Sequence, residues 1–127
     1  MKNTFEMTAW DETNYLEISE EVRFSKASVT KKYNGQLVGL GQLEYIMNYV
    51  AKGRASFVGI EHFEGEVDGK KGRVSFEHKG TFVDGIVNSE FVTIQGSGAF
   101  ALDGFNATGR FTSGHSMLVE FELLVID

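Results

Sequence analysis

Phe57-Val58-Gly59-Ile60-Glu61-His62-Phe63-Glu64-Gly65-Glu66-Val67 and, after a short link, Val74-Ser75-Phe76-Glu77-His78-Lys79-Gly80-Thr81-Phe82 share a period of two. Phe57, Gly59, Glu61, Phe63 and Val67 form one largely apolar face, while Ser56, His62, Glu64 and Glu66 fall mostly on the other. That is the alternation of a half-buried strand. Val74, Phe76, His78, Gly80 and Phe82 likewise alternate with Arg73, Ser75, Glu77, Lys79 and Thr81. The link Val67-Asp68-Gly69-Lys70-Lys71-Gly72 predicts a hairpin. A two-residue type II′ turn with Gly69 first sets Glu61 directly opposite His78, and a turn one pairing step longer makes them diagonal neighbours.

Outward from this hairpin, alternating segments cover about 3-10, 22-33, 37-50, 54-67, 73-83, 86-95, 98-102, 105-112 and 116-126, and none has a convincing helical period. At most a short helical turn is expected near Glu12-Ser19. Asn34-Gly35 is a strong hairpin signal, Ala51-Lys52-Gly53 fits a three-residue loop with its glycine left-handed, and Asp68-Gly69, Asp84-Gly85 and Asp103-Gly104 repeat the turn chemistry. Fifteen glycines and no proline permit long, bent, uninterrupted strands. Strands joined by tight turns make an antiparallel meander, and with no helical layer to cover it the apolar face is best buried by closing the sheet on itself. The expected fold is all-β, a small antiparallel up-and-down β-barrel formed by residues 1-127 as one domain.

If the Ala51-Gly53 loop sets the register, Gly39 faces Gly65, Gly41 faces Phe63 and Tyr45 faces Gly59. Small residues then collect along a diagonal where a barrel wall must coil or let a large ring lie across it.

Composition narrows the function classes. A chain of 127 residues with 42% hydrophobic content holds one core. The absence of cysteine excludes disulfides, thiol nucleophiles and thiolate metal sites, and the opening MKNTFEMTAWDE has no apolar signal segment, so a cytoplasmic location is the default. Twelve basic against eighteen acidic residues give a net charge of -6, and the basic residues are scattered apart from Lys31-Lys32 and Lys70-Lys71. Such a surface repels phosphate backbones and anionic lipids, so neither nucleic acid nor membrane is an expected partner. No apolar run approaches the ~20 residues that span a bilayer.

Ala55-Ser56-Phe57-Val58-Gly59-Ile60-Glu61, Phe76-Glu77-His78-Lys79-Gly80-Thr81-Phe82, and Gly96-Ser97-Gly98 followed by Leu102-Asp103-Gly104 resemble an uncharacterised bacterial domain family of unknown function. The likeness runs from Trp10-Asp11-Glu12 through Gly114-His115. Where that family reads Gly-Ser-Gly-Thr-Gly-Glu-Leu, this chain has Gly96-Ser97-Gly98-Ala99-Phe100-Ala101-Leu102, without the third glycine. The resemblance implies an allene oxide cyclase/dirigent-like barrel, lipocalin-like in holding a small molecule inside. It does not carry over those proteins' substrates or catalytic residues.

Glu61 and His78, facing an interior lined by phenylalanines, suit an acid/base pair. The same two residues also suit a buried pair that only satisfies itself and fixes register. Tyr45, Tyr49, Phe63 and Phe76 line either an aromatic pocket or a filled core, and a barrel of this size favours the filled core. Trp10, at the end of the first strand, reads as a rim residue, and His115 shares the parity of the last strand's apolar positions. His62 has the opposite parity from His78, so a three-histidine site is not expected, and no metal or other cofactor is assigned. Gly96-Ser97-Gly98 lacks the following helix and lysine of a phosphate cradle, while Phe100-Ala101-Leu102 reads as strand.

Three readings remain: a barrel binding a small lipophilic or aromatic molecule, a cofactor-free isomerase or cyclase using Glu61 and His78, and a solid barrel acting through an oligomer surface. Val38, Leu40, Ile46, Val50, Val58 and Ile60 form a second semi-apolar stripe of opposite parity, and with the small symmetric oligomers that the resemblance implies, a homodimer or homotrimer is expected.

Overall fold

The computed structural model describes residues 2–114 and 116–126. Nine strands follow in order among them: β1 (Asn3–Glu17), β2 (Arg23–Asn34), β3 (Leu37–Ala51), β4 (Arg54–Val67), β5 (Lys70–Val83), β6 (Ile86–Thr93), β7 (Ala99–Phe100), β8 (Ala107–Ser113) and β9 (Leu118–Val125). Strands β1 to β6 pair in sequence, β8 pairs with β6 and β9, and β9 returns to β1. Every pairing is antiparallel, so the single sheet closes into a ring with the predicted meander topology. The two-residue β7 sits beside Gly72 and Arg73 of β5, continuing the wall beyond the end of β6. No helix among the described residues is long and apolar enough to cross a membrane.

The loop after β3 sets the expected register: Gly39 pairs with Gly65, Gly41 with Phe63, and Tyr45 with Gly59. The absent side chains make room for large neighbours. A Cβ at Gly59 would stand 2.6 Å from the Tyr45 ring, and one at Gly41 would collide with the Glu61 carboxylate. Both groups therefore lie across the wall where the glycines leave it bare.

Three sequence expectations change. The first strand does not stop at Trp10; β1 stays paired with β2 to Glu17, with register shifts between Met7 and Ala9 and between Asn14 and Leu16. These bulges let a long strand keep its partner while the wall twists. The β4–β5 turn is Asp68-Gly69, with φ of 49° and 83°, the paired positive values of a type I′ turn. It pairs Val67 with Lys70 and hence Glu61 with Phe76 and Gly59 with His78, so Glu61 and His78 are diagonal rather than directly opposed. Finally, 98-102 is not a full strand: Phe100 has φ 60°, and hydrogen bonds from Leu102 N to Ala99 O and from Asp103 N to Phe100 O fold the chain into a turn. Asp103-Gly104 belongs to that turn and does not link two hairpin strands.

The inside is built in two ends. One is a filled aromatic core in which Phe5, Tyr33, Phe63, Phe76, Phe91 and Phe121 pack with ring centroids 5.3 to 6.4 Å apart. The other contains Ala27, Val29, Leu43, Tyr45, Met47, Tyr49 and Phe57, and it is not full. Outside, the stripe Val38, Leu40, Ile46, Val50, Val58 and Ile60 stands exposed.

Candidate functional site

Between the filled end and the hollow end lies a layer of buried polar side chains. Along β2 the inward positions are Ser25, Ala27, Val29, Lys31 and Tyr33; β4 contributes Glu61 and β5 His78. Glu61 and His78 are 0% exposed and Lys31 1%. Glu61 is the hub. Its Oε1 lies 2.6 Å from His78 Nε2, its Oε2 accepts a hydrogen bond from the Tyr33 hydroxyl at 2.6 Å, and Lys31 Nζ is 4.0 Å from Oε1. A carboxylate can only accept, so His78 donates through Nε2. Its Nδ1 is left without a partner, in a ring stacked on Phe91 at 5.0 Å and edge-on to Tyr45 at 6.1 Å.

Burial pulls these groups toward their neutral forms, and their neighbours decide the outcome. For Glu61, burial would raise the pKa, but the Lys31 charge and the hydrogen bonds from His78 and Tyr33 outweigh it and hold the carboxyl below its usual range. Burial lowers the pKa of Lys31 against the opposing pull of Glu61, and it lowers that of His78 likewise. Burial, then the nearby Glu61 charge, pushes the Tyr33 and Tyr45 hydroxyls up.

Next to Lys31, in the hollow end, is a partly enclosed cavity of about 280 Å³. Its walls are mainly apolar, among them Phe5, Met7, Tyr45, Met47, Phe82 and Phe111, and Lys31 is the buried amine that lines it. At the rim, Glu12 accepts hydrogen bonds from Trp10 Nε1 at 3.2 Å, Ser25 Oγ at 2.6 Å and the Tyr49 hydroxyl at 2.9 Å. Partial burial and that bond push the Tyr49 pKa up to about 12. Arg23 lies 3.8 Å from the Tyr49 ring centroid. A broader depression of about 960 Å³ over β5, β6, β8 and β9 is open to solvent and carries Lys79, Glu90, Arg110 and Glu122, so it lacks the enclosed apolar walls of a small-molecule site.

The model of a protein of unknown function, DUF3224, matches residues 1–123. This chain belongs to the DUF3224 family. A crystal structure of a DUF3224 protein of unknown function from Shewanella oneidensis MR-1 is similar in fold, with a TM-score of 0.72 and 22% sequence identity over 100% of this chain and 98% of that one. No curated protein matches the chain.

Within this DUF3224 barrel, the residues singled out from the sequence separate. Glu61 and His78 touch each other but do not line the cavity. Tyr45, Tyr49 and Trp10 do line it, with Trp10 at the rim, 44% exposed and midway along β1 rather than at its end. Phe63 and Phe76 lie instead in the filled end. The His115 position lies outside the described residues, and His62 faces outward beside Glu64, 3.6 Å away. Sequence reasoning overlooked Lys31 and Tyr33, because Lys31 was grouped with Lys32 as a basic pair. The available signal was parity: Lys31 and Tyr33 continue the inward series Ala27 and Val29.

The cluster makes stability pH-dependent. His78 has a folded pKa below its unfolded value near 6.5, so the unfolded chain binds the proton first and stability falls as pH drops below about 6.5. Glu61, depressed below 4.5, adds a second loss as pH falls below about 4.5. Thermal melting from pH 8 to pH 3 is expected to show both steps, with the upper one absent in His78→Gln. A midpoint unchanged from pH 7 to pH 5 would contradict the buried neutral imidazole.

Proposed function

We propose that this protein binds one small lipophilic molecule in the hollow end of its barrel. The observation that carries the reading is the 280 Å³ apolar cavity itself. Close-packed interiors hold few voids larger than a water molecule, and ligand sites begin at roughly 300 Å³. A space of this size, walled by aromatic and thioether side chains with a few polar groups at one end and at the rim, matches a site for a compact apolar ligand oriented by a polar head. Binding is preferred to proton transfer because Glu61 and His78 contribute no wall to the cavity.

Trp10 is the single tryptophan and sits at the cavity rim, which makes it an internal reporter. Titration with 1-octanol should give a saturable, one-to-one change in Trp10 emission. Val87 lines the same space, so Val87→Phe fills part of it and should weaken the affinity at least about tenfold, roughly 1.4 kcal/mol. A non-saturable response, or equal affinity in Val87→Phe, would overturn the assignment.

A further inference from the structure

We propose that Lys31 captures a lipophilic aldehyde in this cavity as an imine. The proposal rests on the cavity reading and names the chemical class of its ligand. Of the chain's eight lysines, the other seven are exposed, while Lys31 is buried in the cavity wall. Its Nζ has no hydrogen-bond partner. The nearest anion, Glu61, is 4.0 Å away, with one oxygen held by His78 and the other by Tyr33. The amine instead faces the rings of Phe5 and Phe111, 4.1 and 5.1 Å from their centroids, and both rings line the cavity. An unpaired amine beside an apolar cavity is short of one polar contact, and the head group of a ligand is the missing piece.

Charge selects the head group. A ligand carboxylate beside Lys31 would also lie near the Glu61 carboxylate and be repelled by it. A carbonyl carries no charge and offers an electrophilic carbon. Burial lowers the Lys31 pKa, so the free amine is more populated near neutral pH than on an exposed lysine, the condition that makes a lysine a Schiff-base nucleophile. The nitrogen lone pair adds to the carbonyl carbon and the carbonyl π pair moves to oxygen. Both amine hydrogens then leave with that oxygen as one water, and the C=N bond forms. A proton from solvent turns the imine into an iminium, and Glu61 is the counter-ion already in place.

The test is reductive trapping at pH 7 with one equivalent of octanal and sodium cyanoborohydride, which delivers hydride to the imine carbon, followed by peptide mass mapping. Octyl label on Lys31 should exceed that on exposed Lys32 and Lys79 at least tenfold, and excess 1-octanol should suppress it. Octanoate should suppress it far less. In Lys31→Met, labelling should fall to the surface background. Label spread over surface lysines with Lys31 bare, in protein that still binds 1-octanol, would overturn the imine and leave the cavity reading standing. Failure of both octanal labelling and 1-octanol binding would overturn the two together.

Discussion

Glu61→Ala is expected to lower the stability of the barrel by about 3–5 kcal/mol, because removing one member of a buried charged cluster strands the others. The His78 Nε2–H and the Tyr33 hydroxyl lose their acceptor, and the Lys31 amine loses its nearest anion. All three are buried, so water does not replace the carboxylate. The exposed neighbour Glu64, three residues along the same strand, sets the baseline, and Glu64→Ala should stay within about 0.5 kcal/mol. Glu61→Gln should fall between them, since an amide accepts through one atom only. Urea unfolding at pH 7 measures all three, with midpoints compared at constant slope. Equal midpoints for Glu61→Ala and Glu64→Ala would mean that the carboxylate is solvated and the polar layer does not exist.

Phe76→Ala should cost about 3–5 kcal/mol, whereas Phe82→Ala, three steps of the same alternation further along β5, should cost only about 1–2 kcal/mol. Phe76 is fully buried and contacts Phe63 and Phe91 in the filled end, so its loss opens a void that rigid neighbours cannot close. Phe82 is half-buried and borders space that is already empty. Denaturant midpoints of the two variants would reveal whether the interior is divided. Equal losses would mean that both ends are packed alike.

The architecture was legible in the sequence to the extent that it follows from parity and turn chemistry. Alternation assigned Glu61 and His78 to the interior, and Ala51-Lys52-Gly53 specified the β3–β4 register pair by pair. The β4–β5 register was less readable because Asp68-Gly69 and Gly69-Lys70 both make two-residue turns, and which pair takes positive φ moves every partner. The length of β1 was hidden by its bulges, which break the alternation that a strand is recognised by. Lys31 escaped because a long basic side chain is usually solvated; its inward position was written in the spacing from Val29, but its chemistry depends on Phe5, Glu61 and Phe111 on three other strands. The division into filled and hollow ends has no one-dimensional signature. It arises where the closed wall brings side chains together unevenly, so Phe63 and Phe76 meet Tyr33 and Phe91 while Tyr45 and Phe82 border a gap.

The claim that the hollow end is a ligand site is tested most directly by labelling the methionine methyls with carbon-13 and titrating with 1-octanol. Met7 and Met47 line the cavity, whereas the Met117 side chain is exposed and does not line it, although its carbonyl accepts a hydrogen bond from Met7 N. The methyl signals of Met7 and Met47 are predicted to shift together and saturate at one equivalent bound, with the exposed Met117 methyl shifting least. Saturation without any shift at Met7 and Met47, or a response largest at Met117, would place the ligand outside the barrel and contradict the account.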